Sequence, residues 1–293
     1  MEKKKIIEIL NRDLEDEHGA IIQYLRHAYA MGEGETACEI EAFARDEMRH
    51  LDWLAETIVK LGGKPSLKRG TQILTGKDIP HMMQNDVDLE QGAIKNYTAH
   101  IKMIDDPTIQ RLLQRILADE KAHHGKFEHF VEKAVRERLK DIRGDRKDDV
   151  TKTLDWGIGH EYTVILQYMF HSYMSRNEEA KKQLEDQAIN EMQHMGWLSE
   201  EMVSSGGDPT LEHTEPDQST DPAEMLKVDI KIEKEVAEGY NKAARETKDA
   251  GLRELFTRIR DNEKYHIEVF NDLLKDEETG PGPGISANLP DSG

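Results

Sequence analysis

Glu17-His-Gly-Ala-Ile-Ile-Gln23-Tyr24, followed by Asp46-Glu47-Met48-Arg49-His50, sets a pattern that this chain repeats four times. Glu17, Glu90, Glu161 and Glu233 each have a tyrosine seven residues on, at Tyr24, Tyr97, Tyr168 and Tyr240. Each is also followed, thirty residues on, by Glu-x-x-His: Glu47/His50, Glu120/His123, Glu191/His194 and Glu263/His266. One Glu on a helix plus a Glu-x-x-His on its antiparallel neighbour supplies half the donors of a carboxylate-bridged dimetal site. Four halves make two sites. The short motif alone is weak. Glu15 and His18 also satisfy it, but no tyrosine-bearing Glu precedes them at the right distance.

The spacing predicts the fold. A helix rises about 1.5 Å per residue, so fifteen residues up and fifteen back return to the same height. Turns are then expected at the midpoints, near Gly32, Asp105, Arg176 and Lys248. The local sequences there, among them Asp105-Asp-Pro107 and Lys248-Asp-Ala-Gly251, read as helix stops and caps. Residues 62–78 and 206–221 are richer in Gly, Pro and Thr and lack helical periodicity, and Asp221-Pro222 reads as the cap and first residue of the next helix. The expectation is an all-α chain of two tandem four-helix bundles, each of two helical hairpins joined by a long crossover.

The first and third units are the most alike. Both carry Gln before the tyrosine (Gln23, Gln167), Trp-Leu after the Glu-x-x-His (Trp53, Trp197) and Gly-Gly-x-Pro beyond it (Gly62, Gly206). An internal duplication of a four-helix domain accounts for this. The reading places domain 1 at 1–143, domain 2 at 144–279 and a disordered tail at 280–293.

Composition narrows the partners. The net charge of −19 argues against nucleic acid and anionic membrane surfaces and favours accumulation of cations. Cys38 is the single cysteine, which leaves no internal disulfide framework and no thiolate cluster. The segment Met1–Leu14 lacks the apolar stretch of a signal peptide, and a cytoplasmic setting is expected. Imidazole and carboxylate without thiolate favour Fe or Mn over soft metals, although affinity alone would also admit Zn or Co.

The pattern resembles the ferritin-like diiron superfamily and, within it, bacterioferritin, on the strength of Glu17-x6-Tyr24 and Asp46-Glu47-Met48-Arg49-His50. The resemblance extends over nearly all of residues 1–275, twice over. It implies two metal ions per domain. In the first the ligands would be Glu17, Glu47, His50, Glu90, Glu120 and His123; in the second Glu161, Glu191, His194, Glu233, Glu263 and His266. It implies oxidation of Fe(II) by O2 or H2O2, with an electron-donor protein as a further partner. A dimanganese catalase-like enzyme and an iron-storage protein without significant turnover are the alternatives. The spacing of thirty is shorter than in bacterioferritin, and no fifth helix is expected after either domain, which counts against a mineral-storing cage.

Other residues carry secondary expectations. Tyr24, Tyr97, Tyr168 and Tyr240 return almost to the ligand face and are read as hydrogen-bonding a ligand carboxylate, with electron donation as the other option. Asp46 and Asp119 are expected to accept a ring N–H from a ligand histidine across the bundle, and Asn190 and Asn262 take that place in the second domain. His27, His100 and His171, ten residues after their glutamates, are read as polar core or helix-packing residues, not ligands. Met48 and Met192 follow a ligand glutamate, where the resemblance makes a haem b shared between two such methionines conceivable; an apolar contact between domains is the reading preferred for them. The duplication predicts a pseudo-dimer within one chain, with further homo-oligomerisation left open.

Overall fold

The structure is a computed structural model that describes residues 1–279, and the expectation for the tail at 280–293 lies outside the described residues. Those residues form eight helices and no strand. They are α1 (Lys3–Met31), α2 (Glu35–Lys60), α3 (Ile79–Met103), α4 (Pro107–Glu137), α5 (Asp149–Met174), α6 (Glu178–Ser204), α7 (Pro222–Glu246) and α8 (Ala250–Thr279). All four predicted midpoints fall in the short gaps between paired helices, and both predicted crossovers fall in the long ones.

Local chemistry explains the boundaries. Asp106 caps α4 by accepting from the Thr108 and Ile109 amides, with Pro107 as the first helical residue. Asp221 caps α7 through the Glu224 amide, with Pro222 next. Such caps satisfy amides that have no partner inside the helix, and each contributes about 1 kcal/mol. Gly32 ends α1 at φ 70°, a conformation that favours glycine.

The backbone packs as two compact units, one of Met1–Tyr162 with Gln193–His213, the other of Thr163–Met192 with Thr214 onward. In the first, α1 pairs with α2, α3 with α4, and the hairpins meet through α1 against α3 and α2 against α4. Leu10, Leu14, Ile40, Leu54, Phe127 and Phe130 are fully buried there, each worth roughly 1.5–3 kcal/mol of burial. In the second, α7 pairs with α8. Four helices send side chains to one core: Val164 and Tyr168 from α5, Leu184 from α6, Ile230 from α7 and Phe270 from α8. The helical hairpins fit two four-helix bundles. No helix among the described residues is long and apolar enough to cross a membrane.

The crossover after α2 has no regular structure to satisfy its own backbone, and α1 supplies partners instead. Asn11 accepts from the Ser66 amide at 2.7 Å and donates to the Lys64 carbonyl at 3.2 Å. The Gly70 amide donates to the Glu15 carbonyl at 2.7 Å, and the Ile73 amide to Gln23 Oε1 at 2.6 Å. The second crossover repeats this: Thr210 N donates to Asp155, Thr214 N to Thr163 and Asp217 N to Gln167. Gly70 is required for its approach, since a Cβ there would lie 2.5 Å from the Glu15 oxygen.

Candidate metal centre

In the first bundle the six expected residues converge from all four helices. Glu17 comes from α1, Glu47 and His50 from α2, Glu90 from α3, and Glu120 and His123 from α4. They form two groups, Glu17/Glu47/His50/Glu120 and Glu47/Glu90/Glu120/His123, with donor atoms within 4.8 Å of one another in each. Glu47 and Glu120 belong to both groups, so each could serve two ions at once. All six are buried. In the second repeat Glu191, Glu233, Glu263 and His266 form a group of the same kind. Glu161 Oε2 lies 3.7 Å from His194 Nδ1.

Both imidazoles of the first bundle point the same way. His50 Nδ1 lies 2.7 Å from Glu47 Oε2 and 3.1 Å from Glu120 Oε1. His50 Nε2 turns outward to Asp119 Oδ2 at 3.2 Å. His123 mirrors it, with Nδ1 2.9 Å from Glu47 Oε1 and Nε2 3.2 Å from Asp46 Oδ2. The Asp46 and Asp119 expectation therefore holds in geometry. An outward Nε2–H leaves Nδ1 as the nitrogen that faces the carboxylates.

The tyrosines also reach the glutamates. Tyr24 donates to Glu90 Oε1, Tyr97 to Glu17 Oε1 and Tyr168 to Glu233 Oε1. Tyr240 is fully buried on α7. Each of the three donations crosses from one hairpin to the other, tying the lone glutamate of one to the tyrosine of its partner.

So many acids at one place carry a cost that shows in their proton affinities. Burial first, then the charge of Glu47, pushes the Glu17 carboxyl up to about 8. Burial and the charges of Glu47, Glu17 and Glu90 push Glu120 well above the usual carboxylate range. Burial would lower His50, but the carboxylates of Glu120, Glu17 and Glu47 around its Nδ1 outweigh it and raise it. His123 is raised to about 10 in the same way, against burial, by Glu47 and Glu90. Burial would raise Glu47, but the His123 and His50 imidazoles beside it prevail and hold it below the ordinary range. Protons here take the place of cations.

The donor set fits a divalent ion. Glu47 Oε1, Glu90 Oε2, Glu120 Oε1 and His123 Nδ1 are buried and make no hydrogen bond. His123 Nδ1 and Glu47 Oε1 are close but not aligned as one. Buried polar atoms are ordinarily satisfied, and oxygen and nitrogen donors left inward-facing are what a metal would take up. A cavity of about 200 Å³ reaches Glu17, Glu90 and Glu120, lined further by Thr71 and Ile73 of the crossover and by Asp13 and Asp16.

Some participants were not read from the sequence. His27 Nδ1 donates to Asp86 at 2.8 Å, His171 Nδ1 to Asp229 at 3.0 Å, and His100 Nδ1 lies 2.9 Å from Asp13. Gln23 and Gln167 each donate to the same aspartate, at 2.8 Å, while accepting from the crossover amide. His27 and His171 are buried and His100 is half-buried between helices, but their partners went unnoticed. A signal existed. Asp13, Asp86 and Asp229 each stand four residues before a starting glutamate, where the third unit has Gly157; the fourth unit has Ala243 where the others have the histidine. Met48 and Met192 are each half-buried, on α2 and α6.

Comparison with known proteins agrees with this geometry. The family model described as "Ferritin-like domain" matches residues 7–136 and again 151–279. A bacterioferritin of Desulfovibrio desulfuricans is 35% identical over 134 residues, covering 44% of this chain and 75% of that protein. A bacterioferritin of Streptomyces coelicolor is 34% identical over 125 residues, covering 41% and 75%. Among solved structures, the Desulfovibrio desulfuricans bacterioferritin, described by its diiron site in different catalytic states, is 34% identical, covers 46% of this chain and 82% of its own, and has a TM-score of 0.44. BfrA from Mycobacterium tuberculosis is 27% identical, with 47% and 91% covered and a TM-score of 0.44. With the family pattern matched twice and its acid-and-imidazole clusters in place, this chain belongs to the ferritin-like family, as a tandem pair of bacterioferritin-related domains.

Proposed function

We propose that the chain oxidises Fe(II) with O2 or H2O2 at one dimetal site in each repeat. The observation that carries this is the sharing of Glu47 and Glu120 between two four-donor groups. Two cations bound in those groups would lie side by side under common carboxylates. The twelve glutamates and histidines named from the sequence are the proposed ligands. Glu161 and His194 complete the second set by register with Glu17 and His50. The proposed domains run from 1 to 143 and from 144 to 279.

The protein's part in the chemistry follows from the residues. Four carboxylates offset the charge of two divalent ions, which lowers the cost of burying either. Glu17 with His50 and Glu90 with His123 define the two ends. Tyr97 and Tyr24 each hold one oxygen of those glutamates, so that each lone carboxylate keeps one orientation as the charge beside it changes. Asp119 and Asp46 hold the Nε2 protons and orient the rings. Asp16, an exposed acid on the cavity lining, would attract Fe(II) toward the site. Iron bound there supplies the electrons that reduce the oxidant.

Iron rather than manganese is the reading that the family favours. Metal analysis of isolated protein, with an H2O2 disproportionation assay, tests the manganese alternative. Thioether is a donor type that haem accepts, and a Soret band in protein expressed with ample haem, lost in Met48→Ala and Met192→Ala, would support haem b at Met48 and Met192. A cytoplasmic setting and an electron-donor protein as partner belong to the same reading. Stopped-flow absorbance after mixing Fe(II)-loaded protein with O2 tests the central claim. Oxidation no faster than in buffer would reject it and leave iron binding without turnover.

A further inference from the structure

The cavity beside the proposed ligands lies wholly in the first unit, between α1, α3 and the crossover. Its floor is made by the buried Glu17, Glu90, Tyr24 and Tyr97. Its walls are apolar, with Ala20 buried and Ile73, Leu89 and Ala93 half-buried. Its mouth is exposed and acidic. Asn96 Nδ2 holds Asp16 there at 3.4 Å, and Gln84 Nε2 holds Asp88 at 3.0 Å. The volume is about 200 Å³. An apolar cavity of roughly 150 Å³ takes up benzene, so there is room here for a compact organic molecule.

Gly92 also lines the mouth. It stands inside α3, where glycine weakens a helix. Neither backbone nor packing requires it: its φ is not positive, and a Cβ there would have nothing within 4 Å. What its missing side chain leaves clear is the opening.

The second repeat has the same ligand pattern and the same tyrosines, but not this lining. Counted from the starting glutamates, Ala20 and Ala93 correspond to Val164 and Val236, both buried. Gly92 corresponds to Glu235, and Asp16 and Asp88 to His160 and Lys231. Ile73, whose amide donates to Gln23, corresponds to Asp217, whose amide donates to Gln167. Small walls have become branched, an apolar wall acidic, and the two acids of the mouth basic types. Iron traffic explains acids at a mouth. It does not explain alanine walls and a glycine within a helix in one repeat only.

We propose that this cavity is a binding site for a small organic cation, with an ammonium head at Asp16 and Asp88 and a compact apolar body between Ala20, Ile73, Leu89 and Ala93. The body leaves water for apolar surface. The head stays at the exposed mouth, where it pairs with carboxylates without full loss of hydration. The site stands whether or not the dimetal centre turns over.

Calorimetry on Zn(II)-loaded protein at neutral pH, with benzylamine and benzyl alcohol as probes of one shape, tests this. Benzylamine should bind at about one molecule per chain and about tenfold tighter than the alcohol, the difference that a charge-assisted bond makes. Asp16→Asn combined with Asp88→Asn should remove that difference. Ala93→Val, the residue of the second repeat, and Gly92→Leu should each weaken both probes by about tenfold, with Zn(II) stoichiometry unchanged. Gly92→Leu should at the same time raise the urea midpoint, because leucine favours the helix. A glycine needed only for folding would lose stability and binding together. No saturable binding of benzylamine, equal affinity for the alcohol, or binding undiminished in both Ala93→Val and Gly92→Leu overturns the site. A wild type that binds benzylamine yet oxidises no Fe(II) rejects the function proposed above and leaves this site standing.

Discussion

His123 Nε2 lies 3.2 Å from Asp46 Oδ2, across the bundle from α4 to α2. The aspartate precedes one proposed ligand in sequence, Glu47, and orients another in space. Partners of this kind hold a ligand imidazole in one tautomer, and their loss typically costs about 10–100-fold in metal affinity. Asp46→Ala should therefore weaken metal binding by about that factor with the six ligands intact. Competition titration with a chromophoric chelator measures it, and unchanged affinity would mean that the His123 ring is held by packing alone.

Tyr97 and Tyr24 should act at opposite ends of one site. Tyr97→Phe leaves Glu17 without its donor, and Tyr24→Phe does the same to Glu90. Loss of a buried hydrogen bond to a charged group costs about 1.5–3 kcal/mol, or roughly tenfold and more in binding. Co(II) titration followed by absorbance should show one of two binding steps weakened in each variant, and a different one in each. The same step weakened in both would contradict the two-ended arrangement.

Proton linkage gives a signed expectation. Glu17 is raised to about 8 in the fold, so the metal-free native state binds this proton more tightly than the unfolded chain. Its contribution is full below the ordinary carboxylate range and is lost as pH rises toward 8. His50, also raised, acts in the same direction. Glu47 is lowered, and its contribution is already complete above that range. The metal-free protein should therefore melt at lower temperature at about pH 8 than at about pH 5.5. Zn(II) should reverse the trend, because the ions replace the protons. A metal-free melting temperature that rises with pH over this interval would contradict the assignment.

Two glycines should respond oppositely to alanine. A Cβ on Gly70 would meet the Glu15 backbone at 2.5 Å, where nothing flexible can yield. Gly70→Ala should cost about 1–3 kcal/mol and loosen the crossover over the cavity. Gly125 lies within α4 with nothing near its missing Cβ. Gly125→Ala should stabilise by about 0.5–1 kcal/mol through helix propensity alone. Urea unfolding measures both, and equal effects would show that the crossover is not packed as described.

Much of this molecule was legible because its chemistry is periodic. The thirty-residue interval fixed helix length, turn position and ligand register together, and the gaps at 32–34, 104–106, 175–177 and 247–249 follow from it. Asp46 and Asp119 were legible because they adjoin the ligands. The His27–Asp86 and His171–Asp229 pairs were not, because each joins positions on different hairpins and neither residue belongs to the searched pattern. Pairing the helices antiparallel through Tyr24–Glu90 and Tyr97–Glu17 would have revealed them, since the same register sets His27 against Asp86 and His100 against Asp13. His18 matched the short motif by accident and was set aside on that ground. Its ring lies 2.5 Å from the Tyr162 hydroxyl, a contact between residues far apart in the chain that spacing does not encode.

The most direct measurement is an anomalous-scattering map of crystals soaked in Fe(II) without oxygen. The account predicts about four ions per chain, two for each set of six ligands. In the first bundle one peak should lie beside Glu17 and His50 and the other beside Glu90 and His123, with Glu47 and Glu120 touching both. A single ion in each bundle, or peaks confined to surface carboxylates with these residues unliganded, would contradict it.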